Sequence, residues 1–393
     1  MFKKNILVLL SLPALLCAQS FDTFLENALQ SSPYLRANAL SVQRTKAESQ
    51  KLQRYKNPTL SLEGVYYAPD SAKDESGYRM ALTQPLRLWG VGDAIESLGK
   101  ARLLASESLA RLSYAEFQQR LSLLYIEYIT LSSLEKLAKE ELNISQSIKQ
   151  ISHERYMGGT IAKVKYLQTK VELKRVQNLL NQRRVKRVQA YYRLLAFAGI
   201  KEEPELDTNY SFKMLETKES RLENAKISYL KAQKRSFDSL AKLKENKISW
   251  IDISAEYERE IDQDVMRLGV DIPLTLFNKN KEEQQVARLQ AKESELSVEN
   301  EELKLSLTLK RLGKELELLE ELILSTKELY SSQKELLEMY EDAYKIASVN
   351  LLELQNIKNQ LIETKTKAIL LQKQKNQNIV TYNYALGAYN ENR

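Results

Sequence analysis

Two periodicities divide the chain. In three short stretches, and more weakly in a fourth over 59–67, apolar and polar residues alternate, which places successive side chains on opposite faces of a β-strand. The pattern predicts strands at about 58–67, 77–89, 248–258 and 265–277. In the last of these, Met266, Leu268, Val270, Ile272, Leu274 and Leu276 alternate with Arg267, Gly269, Asp271 and Thr275. Elsewhere the apolar positions step by three and four. Leu305, Leu309, Leu312, Leu316, Leu319 and Ile323 follow one another in this way, as do Leu121, Leu124, Tyr128 and Leu131. That is coiled-coil spacing. The segments 92–156 and 279–343 contain no proline. A helix through either would be roughly 95 Å long and must pack along its length against other helices.

The plan occurs twice. Gln84-Pro85-Leu86-Arg87-Leu88-Trp89-Gly90 reads like Ile272-Pro273-Leu274-Thr275-Leu276-Phe277-Asn278, with Pro85 and Pro273 separated by 188 positions. Tyr156 and Tyr344 have the same separation, as do Thr160 and Ser348. The chain therefore divides into a segment 1–18, a first repeat over 19–200, a linker over 201–218, a second repeat over 219–388 and a tail over 389–393. Each repeat reads helix, two strands, very long helix, turn, helix. Pro204 keeps a helix from running through the linker. The two helix-hairpin tips fall at about 156–165 and 344–356.

Segment 1–18 reads as an export signal. Lys3 and Lys4 precede an apolar core, and Ala18 offers a small residue for cleavage before Gln19. Lipidation of Cys17 is the alternative, although the bulky Leu16 stands where a lipobox has Gly or Ala. Cys17 is the sole cysteine, so a mature chain starting at Gln19 has no disulfide.

For an exported chain, strands of about ten residues with one apolar and one polar face predict a transmembrane β-barrel. Four such strands cannot close one, because the smallest bacterial barrels have about eight, and an open edge in lipid leaves backbone groups unpaired. Closure then requires several copies of the chain. Leu82, Leu86, Ile253, Leu268, Val270 and Ile272 are the expected lipid-facing side chains, with Arg267, Asp271 and Thr275 on the lumen side. Aromatic residues fall at two levels, as interfaces favour: Tyr66, Tyr67, Tyr78 and Tyr257 at the loop ends, and Trp89, Trp250 and Phe277 at the helix ends. The alternative is a pair of soluble β-hairpins on a coiled-coil scaffold without a pore.

Composition agrees with long helices and few turns: 393 residues hold only 11 Gly and 7 Pro. The net charge of +7 is spread among 52 acidic residues, which reads as solvated helix faces and not as a nucleic-acid patch. Enzymatic chemistry has no foothold. His153 is the one histidine and lies within a predicted helix. Neither a P-loop nor a dinucleotide fingerprint occurs, and Gly90-Val91-Gly92 serves a strand-to-helix turn. No cofactor and no metal site is expected.

These features together resemble the TolC-type outer membrane efflux protein family. The resemblance is carried by Ala28-Leu29 with Ser32-Pro33-Tyr34-Leu35, by Asn57-Pro58-Thr59-Leu60 and by Gln84-Pro85-Leu86. It extends to the tips, Tyr156-Met157-Gly158-Gly159-Thr160 and Tyr344-Lys345-Ile346-Ala347-Ser348. It implies a mainly α fold with a β-barrel portion: a homotrimer with a twelve-stranded barrel in the outer membrane and a long α-helical barrel in the periplasm. It also implies a passive exit duct for small molecules or heavy-metal cations. A periplasmic adaptor and an inner-membrane pump of the RND type would be its partners, and a type I protein secretion duct is the alternative. Gly158, Gly159, Lys163, Lys165, Tyr344, Ser348, Glu353 and Asn356 become candidates for the gate and adaptor-docking tips. There the chain departs from the family pattern. Ala347 replaces a glycine, Lys163 and Lys165 stand where an acid is usual, and Asn356 replaces another acid. One acidic ring, from Glu353, is then expected, with Lys163 and Lys165 positioned to neutralise it or pair with it.

Overall fold

The computed structural model describes residues 18–67, 75–215, 224–260 and 262–389. The export signal, Cys17, most of the first hairpin loop, the end of the linker and the last four residues lie outside them. The element order is α1 (Phe21–Ser31), α2 (Pro33–Gln53), β1 (Thr59–Tyr67), β2 (Glu75–Arg87), α3 (Val91–Met157), α4 (Lys163–Ala198), α5 (Ala225–Glu245), β3 (Trp250–Arg259), β4 (Asp264–Asp271), α6 (Lys281–Lys345) and α7 (Leu351–Ala385). The two proline-free segments are thus single helices of 67 and 65 residues.

Two compact units divide the chain. Among the described residues, one comprises 18–33, 116–215 and 308–389; the other comprises those of 34–115 and 224–307. Each unit draws on both halves of the sequence, because α3 and α6 run through both.

The second unit holds the sheet. Its strands lie in the order β1-β2-β3-β4, all antiparallel. Pro85 is accommodated within β2 because β1 has already ended at Thr59↔Thr83, so that stretch of β2 pairs only with β3. The fourth strand corrects the sequence reading. It ends at Asp271, opposite Asp252, and not at 277. Pro273 has no N–H to donate, and β4 is an edge strand with one neighbour. Ile272, Leu274 and Leu276 therefore lie beyond the strand. The second strand likewise ends at Arg87, where Gly90, at φ 79°, turns the chain into α3.

The first unit is helical. The chain start is tied to the linker by Gln19 N–H to Glu205 O (2.7 Å) and Asp207 N–H to Gln19 O (2.9 Å). Phe21 and Phe24 pack against Tyr125, and the Tyr125 hydroxyl donates to Asp207 O at 2.6 Å. Asn383 of α7 accepts from Leu215 N–H at 3.0 Å and donates to Lys213 O at 2.9 Å, which holds the linker against that helix. After α4, Gly199 adopts φ 74°, and a Cβ there would lie 2.7 Å from Pro33 Cδ. Only glycine suits that position.

Candidate functional site

The sheet is one candidate site. Its register places Leu60, Leu62, Tyr78, Met80, Leu82, Leu86, Ile253, Leu268 and Val270 on one face. That face is largely bare: Leu268 is 90% exposed. The opposite face carries the charges, and they pair across strands. Arg79 meets Glu63 at 2.8 Å, and Arg267 bridges Glu256 and Glu258. The expected lipid-facing set of Leu82, Leu86, Ile253, Leu268 and Val270 therefore shares one face, with Arg267 and Asp271 on the other. Ile272 falls outside the strand, as described above. At the sheet margins, Tyr78 and Tyr257 pair at 6.1 Å between centroids, while Trp89 and Phe277 are almost fully exposed. No described helix is long and apolar enough to cross a membrane.

The hairpin tips, both in the helical unit, are the other candidate. At the first, Gly159 N–H bonds Tyr156 O (3.0 Å) and Thr160 N–H bonds Arg155 O (2.8 Å), with Gly159 at φ 73°. At the second, Ala347 N–H bonds Tyr344 O (3.3 Å) and Ser348 N–H bonds Ala343 O (2.9 Å), with Ala347 at φ 66°. Both are Schellman endings, which call for a left-handed residue after the helix. An alanine there is strained by about 1–2 kcal/mol.

The named tip residues separate into two kinds. Gly158, Gly159, Lys163, Lys165, Ser348, Glu353 and Asn356 are exposed, whereas Tyr344 is buried. The Tyr344 ring lies 4.5 Å beneath the Arg155 guanidinium, its hydroxyl is 2.9 Å from Ser152 Oγ, and its carbonyl accepts from Arg155 at 2.8 Å. It joins Ile148, Ile151, Leu337, Leu351, Leu354 and Leu361 in one core. Tyr156, the matching residue of the first tip, stacks instead on Tyr166, 5.6 Å away.

The expected pairing of Glu353 with Lys163 or Lys165 does not occur within the protomer. Glu353 is the third residue of α7 and completes a capping box with Asn350. Its backbone N–H donates to Asn350 Oδ1 (3.0 Å), and its carboxylate accepts from Asn350 Nδ2 (2.8 Å). Among the described residues, neither lysine makes an ion pair with it.

Sequence reasoning missed a buried ionic cluster behind the tips. Lys358 of α7 is 1% exposed and lies 2.6 Å from Glu172 of α4 and 3.7 Å from Glu141 of α3. Arg175 of α4 completes it, at 2.7 Å from Glu172 and 3.2 Å from Glu141. The hydrogen bond from Arg175, aided by Lys358 and opposed by burial, holds the Glu172 carboxyl down at about 2. Glu172 in turn, with help from Glu141 and against burial, pushes the Arg175 guanidinium up. The cluster had a signal in the sequence: Lys358 occupies a core position of the spacing Leu351, Leu354, Lys358, Leu361. Farther along α3, Glu135 receives Arg187 at 2.5 Å and Lys139 at 3.3 Å. Burial raises its carboxyl, but these partners outweigh burial and hold it low. Among the described residues no group of three or more His, Cys, Asp or Glu could hold a metal ion.

Residues 24–200 match the family described as outer membrane efflux protein. The resemblance read from the sequence holds. No curated protein matches the chain. Solved structures extend the likeness to nearly its whole length, as a likeness of fold. CusC, whose structures concern transmembrane channel formation, aligns with a TM-score of 0.79 at 15% identity, covering 93% of this chain and 91% of that one. The Campylobacter jejuni CmeC outer membrane channel gives 0.77 at 13% identity, covering 93% and 85%. The open state of the Neisseria gonorrhoeae MtrE outer membrane channel gives 0.75 at 14% identity, covering 93% and 88%.

Proposed function

We propose that the protein is a passive exit duct of the outer membrane that receives its cargo in the periplasm. One observation carries this reading: a four-stranded sheet with a bare apolar face, a charged and ion-paired opposite face, and two open edges. Such a sheet is satisfied only when its apolar face meets lipid and its edges meet other copies. Three copies supply twelve strands and close a barrel, with the helices continuing into the periplasm. The two halves act as repeats of one plan. In support, left-handed turns recur at 159 and 347 and again at 199 and 387, each pair 188 positions apart.

A periplasmic adaptor and an inner-membrane pump, of the RND type, deliver the cargo. The tips at 156–165 and 344–356 form the gate and docking region. On the charged face, Glu63, Asp252, Glu256, Glu258 and Asp271 outnumber Arg79, Arg87 and Arg267. An acidic lumen favours cationic cargo over anionic cargo. Small cationic molecules or metal cations are therefore the proposed substrates.

Cysteine labelling in intact cells with a membrane-impermeant thiol reagent tests the barrel. Cysteines at Arg267 and Asp271 should label, and those at Leu268 and Val270 should not. The reverse pattern rejects the duct. Native mass spectrometry in detergent should give three copies. For the tips, Glu353→Gln keeps the capping box, since glutamine also serves there, while removing the charge. It should lower cation selectivity in planar bilayers; unchanged selectivity removes Glu353 from the gate.

A further inference from the structure

A cavity of about 230 Å³ opens in the helical unit between α3, α6 and α7. Leu137 and Ile144 of α3, Tyr330 and Leu337 of α6 and Leu361 of α7 supply its apolar walls. Leu137, Leu337 and Leu361 are buried, and Ile144 and Tyr330 pack against the core that holds Tyr344. The cavity is therefore a gap in the packing behind the second tip. On α6, Tyr330, Lys334, Leu337 and Glu341 step by four, three and four, which places them in one stripe along the helix. From end to end that stripe is roughly 16 Å long.

The charges around the cavity do not cancel. Glu140, Glu338 and Glu341 face Lys334 and Lys365. Two of the acids are already answered. Lys365 of α7 bonds Glu140 of α3 and lies 5.2 Å from the centre of the Tyr330 ring, which ties α7 to α3 at that end. Lys334 lies 3.9 Å from Glu338, out at the rim where both are largely exposed. Glu341, at the other end of the stripe, is left over. Among the described residues it makes no ion pair and no hydrogen bond, and the neighbouring Lys345 donates instead to Asp342 at 2.8 Å. Burial raises the half-buried Glu341 carboxyl above its ordinary value of 4.5, against the pull of Lys345. A carboxylate so placed has lost part of its water without gaining a cation.

Apolar walls with one spare carboxylate specify the chemistry of a ligand. A neutral apolar molecule would satisfy the walls and leave Glu341 deeper still without a partner. An anion would add to an excess of negative charge. An ammonium on an apolar body satisfies both, through a charge-assisted hydrogen bond at one end and burial of the body along the walls. The volume lies just below that of drug-sized pockets, which suits one ring with a short amine arm.

We propose that this cavity is a binding site for a small organic cation, its charged head on Glu341 and its apolar body between Ile144, Leu337 and Leu361. The walls belong to three helices, so an occupant braces the α6–α7 hairpin against α3. The site is complete within one copy and does not rest on the duct described above.

Three probes with similar bodies and different heads test it: phenethylammonium, phenethyl alcohol and hydrocinnamate. Binding to the full chain in nanodiscs of zwitterionic lipid is read by saturation-transfer NMR and by the melting midpoint. The ammonium should bind about tenfold tighter than the alcohol, and the carboxylate should bind most weakly. The ammonium should also raise the midpoint. Glu341→Gln keeps the shape of the site and should bring the ammonium down to the level of the alcohol, with an unchanged circular dichroism spectrum. Ile144→Trp should fill the cavity and abolish binding of all three. Equal binding of the three heads, no binding of any, or a preference for the ammonium that survives Glu341→Gln overturns the site. Should Ile144→Trp fail to fold, Glu338→Gln keeps the test open: its carboxylate already has Lys334, so the preference for the ammonium should persist. A loss there as large as at Glu341 would mean a diffuse acidic surface and overturn the site.

Discussion

The two hairpin tips share one backbone plan and solve it with opposite means. The first uses Gly158 and Gly159, so its turn is relaxed, but Ala162 stands at the N-cap of α4 and offers no side-chain cap. The second forces Ala347 into a left-handed conformation and compensates with the Asn350–Glu353 box and with the buried Tyr344. A turn can therefore be secured by a permissive backbone or by the side chains around it. The second solution ties the tip to the rest of its unit, because Tyr344 bonds α3.

Four sets of substitutions sharpen or break this contrast. The largest effect is expected behind the second tip. Lys358→Met removes the cation that links α7 to Glu141 and Glu172, and leaves buried carboxylate behind. Breaking such a cluster costs about 3 kcal/mol, readable as a fall in the denaturation midpoint. A cost near zero would mean that Arg175 alone satisfies both acids.

The same cluster predicts an acid response. The Glu172 carboxyl sits at about 2 in the folded protein, below its ordinary value of 4.5. Its stabilising contribution is complete above that ordinary value and is lost as pH falls toward the folded one. Thermal melts between pH 5 and pH 2 should show a steeper loss in the parent than in Glu172→Gln. Equal slopes would place the acid sensitivity elsewhere.

Caps come next. Asn350→Ala should destabilise by about 1 kcal/mol, and Ala162→Asn should stabilise the first tip by a similar amount. The turns themselves are expected to respond on the same scale as the caps. Ala347→Gly should gain, and Gly159→Ala should lose, about 1 kcal/mol, since only the left-handed position distinguishes the two residues. Equal responses of the two tips in chemical denaturation would erase the contrast.

Much of this was readable from the spacing of residues alone. The strands at 59–67 and 250–259 and the two long helices appear close to their expected bounds, because a strict period leaves little choice of conformation. The separation of 188 between Tyr156 and Tyr344 reappears in their matching turns. The end of β4 was not readable. Pro85 and Pro273 occupy similar sequences, yet Pro85 lies within a strand and Pro273 beyond one, and only the neighbouring strands decide that. Glu353 is conspicuous for its charge, although Asn350, three positions earlier, already spells a helix cap. The role of Lys358 is not legible from spacing alone, because it depends on three helices meeting.

The bare face of the sheet has a bearing on how the chain is made. In the proposed duct, each protomer would cross an aqueous compartment before insertion, carrying a greasy surface and two unpaired edges. These are the attributes of a chain prone to stack on its own kind. The helical unit, by contrast, buries a core of its own within one copy, around Tyr344, Leu351 and Leu354. On the same proposal, the sheet would need guarding by an escort until membrane and sister chains arrive together. Biogenesis is therefore the stage at which substitutions in the strands should exact their heaviest toll, as lost yield before any loss of transport.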